Sequence, residues 1–488
     1  MNSYNREILR LALPSIATNV TVPLLGLVDL AIVGHIGNET MIGAIAVGSM
    51  IFNVMYWLMG FLRMGTTGMT ANTTLVGEVL SRFLRLAFLI ALCFLVLQVP
   101  LRWLSLWLMG PSEGVAAYVR VYFNICIWGA PAVLGLYVMS GWFIGMKDTR
   151  TPMIVSISQN LINILLSLLF VFVFGMKIEG VALGTLIAQW SGALMAWGKL
   201  PRNLPRPLRR RGGPRGVKSL NNQTSIIKQT SSDKQTSSDK QTSSGKQISF
   251  NKQTSSDKQT SSDKQTSSDK KAGSRQDLPS FGGVGGSFSF FQVNRDIFLR
   301  TVCLVAVNLF FTSAGARQGD LLLSVNTLLL TFFTLFSYVM DGFANAGEAL
   351  CGKTASQEMD KGMVIRHLFR WGWLMVVLFT AVYALGGRAF LSLLSDEGHV
   401  VDAAMAYLPW ALLIPISGMA AFVYDGVFIG MLLTRGMLVS CAVATAAFFG
   451  LFFMLFPQWH NHALWLALIV YLALRGLMQW IILKKQTI

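Results

Sequence analysis

The side chains able to do chemistry are few, and most sit where they are costly, inside long apolar runs. Asp29 lies in Leu27-Val-Asp-Leu-Ala-Ile-Val-Gly-His-Ile-Gly, the tail of the first run. Burial penalises a carboxylate's charge, so an acid placed there can take up and release a proton as its surroundings change. Snorkelling to the boundary, or a pair with His35, is the blander use of the same residue, but aspartate has a short reach. Gln159, Asn160, Asn163 and Ser167 fall in the fifth run and Thr185 in the sixth. Asn163 and Ser167 stand four residues apart, hence on one helix face. Asp29, Asn163, Ser167 and Thr185 thus form a candidate set for binding a proton or small cation, although such amides and hydroxyls ordinarily bond helix to helix. Pro14 and Pro23 share the first run with Asp29. Each removes a helix hydrogen bond and marks a point where the helix can bend.

A second group, Arg300, Asp341, Glu348, Asp425 and Arg475, lies in the other half of the chain. Buried charges persist mainly when paired, so a structural network is expected. Arg300 and Glu348 lie near the same ends of their runs and are expected to meet. Arg475 is expected to reach Asp425 or Asp341, and its loss would leave a buried acid unpaired. Two cations and three carboxylates leave one acid over.

Other chemistries find no support. The five histidines (His35, His367, His399, His460, His462) form no HExxH, and neither GxSxG nor the phosphate-cradling GxxxxGK[ST] occurs. The five cysteines (Cys93, Cys126, Cys303, Cys351, Cys441) are odd in number, contain no CxxC and read as packing residues. No metal, cofactor or enzymatic activity is expected.

These residues must be positioned by something, and composition says what. Of 488 residues, 53% are hydrophobic and 13% charged, against about 25% charged in an ordinary soluble chain. Apolar runs long enough to cross a bilayer follow one another with short gaps. Twelve spans are expected, at about 8–34, 42–64, 83–109, 116–140, 152–174, 180–200, 297–316, 321–345, 364–394, 402–430, 435–456 and 462–483. The start of the chain has no small-residue cleavage site and reads as a retained first span. The net charge of +17 is spread over short loops rather than one basic face, which argues against nucleic acid. Arg6, Arg10, Arg82, Arg85, Lys147, Arg150, Arg202 to Arg211, Lys353 to Arg370, Arg435, Lys484 and Lys485 fall on one side; Arg102, Lys177, Arg317 and Arg388 fall on the other. The positive-inside rule places both termini and the central loop in the cytoplasm.

Gly141-Trp-Phe-Ile-Gly-Met-Lys-Asp-Thr-Arg and Gly426-Val-Phe-Ile-Gly-Met-Leu-Leu-Thr-Arg agree at seven of ten positions. Each ends the fourth span of its half, so the chain reads as two six-helix lobes, 1–200 and 295–488, related by a pseudo-two-fold axis along the membrane normal. Between them, 201–294 carries Lys-Gln-Thr-Ser-Ser-Asp repeats with lysines at 228, 234, 240, 246, 252, 258 and 264. The repeats offer no apolar residue to stack inward, so a disordered cytoplasmic linker is expected.

Val28 to Gly37, the twin Gly-Phe-Ile-Gly-Met helix ends and Met340-Asp-Gly-Phe-Ala-Asn-Ala-Gly-Glu-Ala-Leu-Cys-Gly resemble the MATE (multidrug and toxic compound extrusion) family, most of all its bacterial DinF-type branch. The resemblance covers all twelve spans and leaves out only the central insert. It implies a monomeric inner-membrane antiporter that exports amphipathic organic compounds. Asp29 would be the proton-linked acid, Pro14 the bend, and Asn163 and Thr185 members of the same polar cluster. The family often has a second aspartate where this chain has Ser167, which favours the proton over sodium as coupling ion. A major-facilitator transporter and a flippase for a lipid-linked substrate are the alternatives. The basic loop of the former is missing after span 2, and few Lys or Arg lie at mid-span as the latter would need.

Overall fold

A chain in hydrocarbon must satisfy every backbone amide internally, and an unbroken helix does so within one segment. The apolar runs accordingly become helices. The computed structural model describes residues 3–34, 39–201, 284–352, 359–394 and 397–487; the side chains of 22–39, 42, 284–289, 320 and 487 lie outside the described set. The repeats of the central block lie wholly outside it. So do Lys353 and its nearest followers.

In the first half, α1 spans Ser3–Gly34, α2 Glu39–Leu58, α3 Phe61–Thr70, α4 Val76–Val96, α5 Gln98–Met109, α6 Glu113–Cys126, α7 Ala130–Gly145, α8 Arg150–Leu168 and α9 Ile178–Gly198. In the second, α10 spans Val284–Ala316, α11 Asp320–Leu350, α12 Lys361–Leu394, α13 Gly398–Gly430 and α14 Thr434–Thr487. Several crossings are jointed. α2 and α3 form one crossing interrupted at Met59 and Gly60, and α6 passes into α7 through a 3₁₀ turn, Ile127–Gly129. α8 ends in a π-helical turn, Leu169–Val173. α14 breaks at His460 (φ 43°, ψ −121°), which divides it into two crossings. The third run begins at Val76 and turns at Leu97 into α5, so it is longer and less straight than the sequence suggests.

Among the described residues, nine helical stretches have the length and mean hydropathy (1.6 to 2.3) of a membrane span. With α1, with α9 and with the division of α14, the protein has twelve crossings in two six-helix lobes. Leu374, Val377, Leu378, Val382, Leu385 and Leu393 on α12 are all exposed, a continuous apolar face of the kind that lipid covers.

Each lobe has its own core, and each core borrows from the other. Ile8, Leu11 and Ala12 at the start of α1 pack with the second lobe's Phe336, Met340 and Phe343. Val293 and Ile297 at the start of α10 pack with the first lobe's Phe83 and Leu62. The twin glycine motifs explain why. A Cβ on Gly141 would run into the Arg63 carbonyl oxygen, and one on Gly145 would lie 2.8 Å from that of Thr67. In the second lobe Gly426 meets the Ala344 carbonyl in the same way, and a Cβ on Gly430 would lie 2.8 Å from that of Glu348. The glycines let α7 lie directly on α3 and α13 on α11. Position 63 therefore corresponds to 344, and 67 to 348.

Candidate functional site

The first-lobe cluster is built by two neighbouring helices. Asn163 on α8 donates from Nδ2 to Thr185 Oγ1 on α9 at 3.0 Å, and Ser167 Oγ donates to Asn163 Oδ1 at 3.4 Å. Asn163 and Ser167 are buried. Gly184 is what allows α9 so close, since a Cβ there would lie 2.7 Å from Ser167 Oγ. Thr185 passes its own hydrogen to the Val181 carbonyl at 3.0 Å. Three of the four residues named from sequence thus share one site. Asp29 and Pro23 belong to α1, but their side chains lie outside the described residues. α1 runs as continuous helix through Pro14 and Pro23. Two bonds tie it to α8 and the residue that caps it: Thr149 Oγ1 donates to the Arg10 carbonyl at 3.5 Å and Asn160 Nδ2 to the Thr21 carbonyl at 3.2 Å.

The second-lobe charges divide differently from the expectation. Asp425, buried on α13, accepts from Arg300 on α10, from Arg475 Nη2 at 2.9 Å and from Gln479 Nε2 at 2.6 Å. Arg475 also lies over the rings of Phe422 and Tyr471, 5.8 and 5.7 Å from their centroids. Arg300 does not meet Glu348. Lying near the same end of two spans fixes depth but not the position around the lobe, and Asp425 is nearer laterally.

The partner of Glu348 is a residue the sequence reading passed over. Arg63, on α3 of the first lobe, reaches Glu348 at 3.3 Å and Asn345 Oδ1 at 2.9 Å. Glu348 is 1% exposed while the Arg63 side chain stays 25% exposed, so this ion pair joins the two lobes with its acid buried and its cation partly open. With Arg63 included, the group holds as many cations as acids. Asp341 is the one left without a bond: no donor among the described residues reaches it. It lines a cavity of about 190 Å³ with Arg300, Arg475 and an apolar wall that includes Phe311, Phe333 and Phe422. Asp296, also unremarked in the sequence, is buried at the start of α10 and bonds Arg295 at 3.0 Å and Thr434 at 3.4 Å.

A lone acid in an aromatic-walled cavity suits a molecule with an apolar body and one polar or cationic group. A hydrogen-bonded amide and two hydroxyls suit an ion without its water. Comparison with known proteins agrees with a transport role. The MatE family model matches residues 14–169. DNA damage-inducible protein F of Escherichia coli is 32% identical over 98% of this chain and 91% of its own length. The probable multidrug resistance protein NorM of Thermotoga maritima is 29% identical over 38% of this chain and 42% of its own. A crystal structure of the Vibrio cholerae MATE transporter VcmN in a bent form superposes with a TM-score of 0.72 at 15% identity, covering 99% of this chain and 97% of that one. This fold sets the major-facilitator alternative aside. A near full-length relative, together with a family model seated on the first five crossings, makes the chain a member of the MatE family of membrane transporters.

Proposed function

We propose that the chain exports amphipathic organic compounds across a bacterial inner membrane, as a monomer, in exchange for protons taken up at Asp29. Its lobes would open alternately to the two sides, with both termini and the linker in the cytoplasm. The observation that carries the coupling is a register. The two bonds between α1 and α8 both join residues 139 apart, so the helices run parallel at constant offset. The same offset carries position 29 to the level of Leu168, beside Ser167 and one turn beyond Asn163. An acid carried at that level would share the depth of the bonded amide and hydroxyls. Protonation removes the charge they gather round, α1 bends at Pro14 or Pro23, and the outward cavity contracts and releases its guest. Deprotonation on the other side restores the site. Sodium is the lesser candidate, because Ser167 brings no second charge to balance it.

The second-lobe cavity supports the substrate class. Asp341 offers one uncommitted charge, while both arginines are already spent on Asp425. At about 190 Å³ it is smaller than the roughly 300–1,000 Å³ of a drug-sized site, so a guest requires the lobe to widen. The name of the Thermotoga maritima relative, a probable multidrug resistance protein, points the same way.

The test is Asp29→Asn, close in shape but permanently neutral, in vesicles under an imposed pH gradient or an imposed sodium gradient. The variant is expected to fold, to bind dye and to export none in the pH arm. Full pH-driven export by Asp29→Asn would refute the assignment and direct attention to Asp341.

A further inference from the structure

The outer side of α7 offers little bulk. Pro131, Ala132 and Gly135 lead to Met139 along one strip of the helix, at spacings of three and four. α4 and α9 both pack against α7, and their larger side chains stand on either side of that strip. Leu84 and Phe88 form one wall; Trp190, Leu194 and Trp197 form the other. The groove between them measures about 1170 Å³, above the roughly 300–1,000 Å³ of a drug-sized site. It is lined by the first lobe alone, and Phe88, Leu194 and Trp197 are exposed, so it opens sideways to lipid. Its lining on α4 runs from Gly77 to Leu89, about 18 Å of helix at roughly 1.5 Å per residue. One leaflet takes up about 15 Å, half of a roughly 30 Å hydrocarbon core.

One end of the groove is basic. Arg85 lines it and is exposed. Arg85 Nε donates to the Ser81 carbonyl at 3.2 Å, which turns the guanidinium back toward the start of α4 and the bilayer surface. Arg82, three residues away, is already paired with Glu78. No acid among the described residues reaches Arg85, and the Trp197 indole N–H meets no acceptor among them. Lys199 stands exposed between the lining residues Gly198 and Leu200, and Arg202, Arg206 and Arg209 to Arg211 follow in the sequence.

We propose that this groove binds one anionic phospholipid, with its acyl chains along the α7 strip and its phosphate on Arg85. A guanidinium with both Nη atoms uncommitted matches the oxygens of a phosphate. It selects the opposite charge from the Asp341 cavity, which sets this groove apart from the site proposed for exported compounds. Trp197 lays an apolar body against the chains and holds its N–H at headgroup level, where tryptophan is favoured at a membrane boundary. Lys199 and the arginines that follow it in sequence draw anionic lipid to this face of the bilayer. Once seated, the lipid braces α4 against α9 across the gap, on the outer side of the helix that carries Thr185. A ligand that binds only the folded lobe raises its stability by mass action.

The probe is phosphatidylglycerol with a photoreactive diazirine on one acyl chain, added to the purified full chain in detergent. Labelled peptides are located by mass spectrometry. Labelling is expected to concentrate on the two walls, around Phe88 and Trp197, and to saturate at one lipid per chain. Unlabelled phosphatidylglycerol should displace the probe and raise the melting temperature. Phosphatidylcholine with the same chains should displace it about fivefold less well, the worth of one basic residue at an anionic surface. Arg85→Gln is expected to lose that preference and to melt with wild type when lipid is absent. Gly135→Leu fills the floor of the groove, where an added Cβ meets open space, and should label at neither wall. Arg85→Gln, at an exposed position, decides alone if Gly135→Leu fails to fold. The proposal falls if the probe labels the exposed face of α12 as heavily as the groove, if phosphatidylcholine competes equally on wild type, or if Arg85→Gln keeps the preference. Displacement by an exported dye but not by phosphatidylglycerol would overturn the lipid assignment and make the groove a route for the dye. Labelling and melting read this site without any transport assay.

Discussion

Asp425 is the keystone of the second lobe, and a comparison of two substitutions tests that. Asp425→Asn removes the one carboxylate that Arg300 and Arg475 share. Two guanidiniums would then lie buried beside a neutral amide. Breaking a buried ion pair from one side costs about 3–5 kcal/mol, and here one substitution strips two cations at once. Arg475→Met is different, because Asp425 keeps Arg300 and the 2.6 Å bond from Gln479. It loses one charge-assisted hydrogen bond, roughly 1.5–3 kcal/mol. Part of that is offset, since methionine fills the space between Phe422 and Tyr471 and no guanidinium need be desolvated. The shared acid thus makes Arg475 less critical than a one-to-one pair would. Melting of the purified variants in detergent gives the ordering: Asp425→Asn lowest by a wide margin, Arg475→Met intermediate, wild type highest. If Arg475→Met melts as low as Asp425→Asn, or Asp425→Asn melts with wild type, the shared-carboxylate reasoning is wrong.

Gly426→Ala is expected to lower the melting temperature through overpacking of about 1–3 kcal/mol, because its Cβ meets the Ala344 carbonyl, which is main chain and cannot yield. Gly450→Ala, with open space around it, serves as the control and should melt at or above wild type. Arg63→Met is expected to destabilise by about 3–5 kcal/mol by leaving Glu348 buried and unpaired, and adding Glu348→Met should recover most of the loss; a double variant that melts below Arg63→Met would refute the pair. Deletion of residues 220–280 with a short tether, which stops short of α10, is expected to leave dye export unchanged at matched expression, and abolished export would make the insert a working part.

The helical class and the twelve crossings were legible because hydropathy and length depend only on neighbours in the chain. The break at His460 fell in the gap already left between the last two spans. What failed was whatever depends on lateral position. Arg63 escaped notice because the run from 42 to 64 reads as one span ending at its boundary, whereas the joint at Gly60 carries α3 onward and brings Arg63 to the other lobe. Arg300 was assigned to Glu348 by depth alone. The polar cluster was the exception: a four-residue spacing puts Asn163 and Ser167 on one face, and Thr185 lies early in the following helix, so three members could be named before their contacts were known.

The correspondence of position 63 with 344 and of 67 with 348 has a bearing on the chain's ancestry. Arg63 answers to Ala344 and Glu348 to Thr67, so the charged tie between lobes occurs once and has no mirror image. Two copies of the first half would set Arg63 opposite Thr67 twice, a cation with no acid. Two copies of the second half would set Glu348 opposite Ala344 twice, an acid with no cation. The charged tie therefore favours the pairing of unlike halves over like ones. Expressed as separate polypeptides cut within the linker, they should assemble one of each.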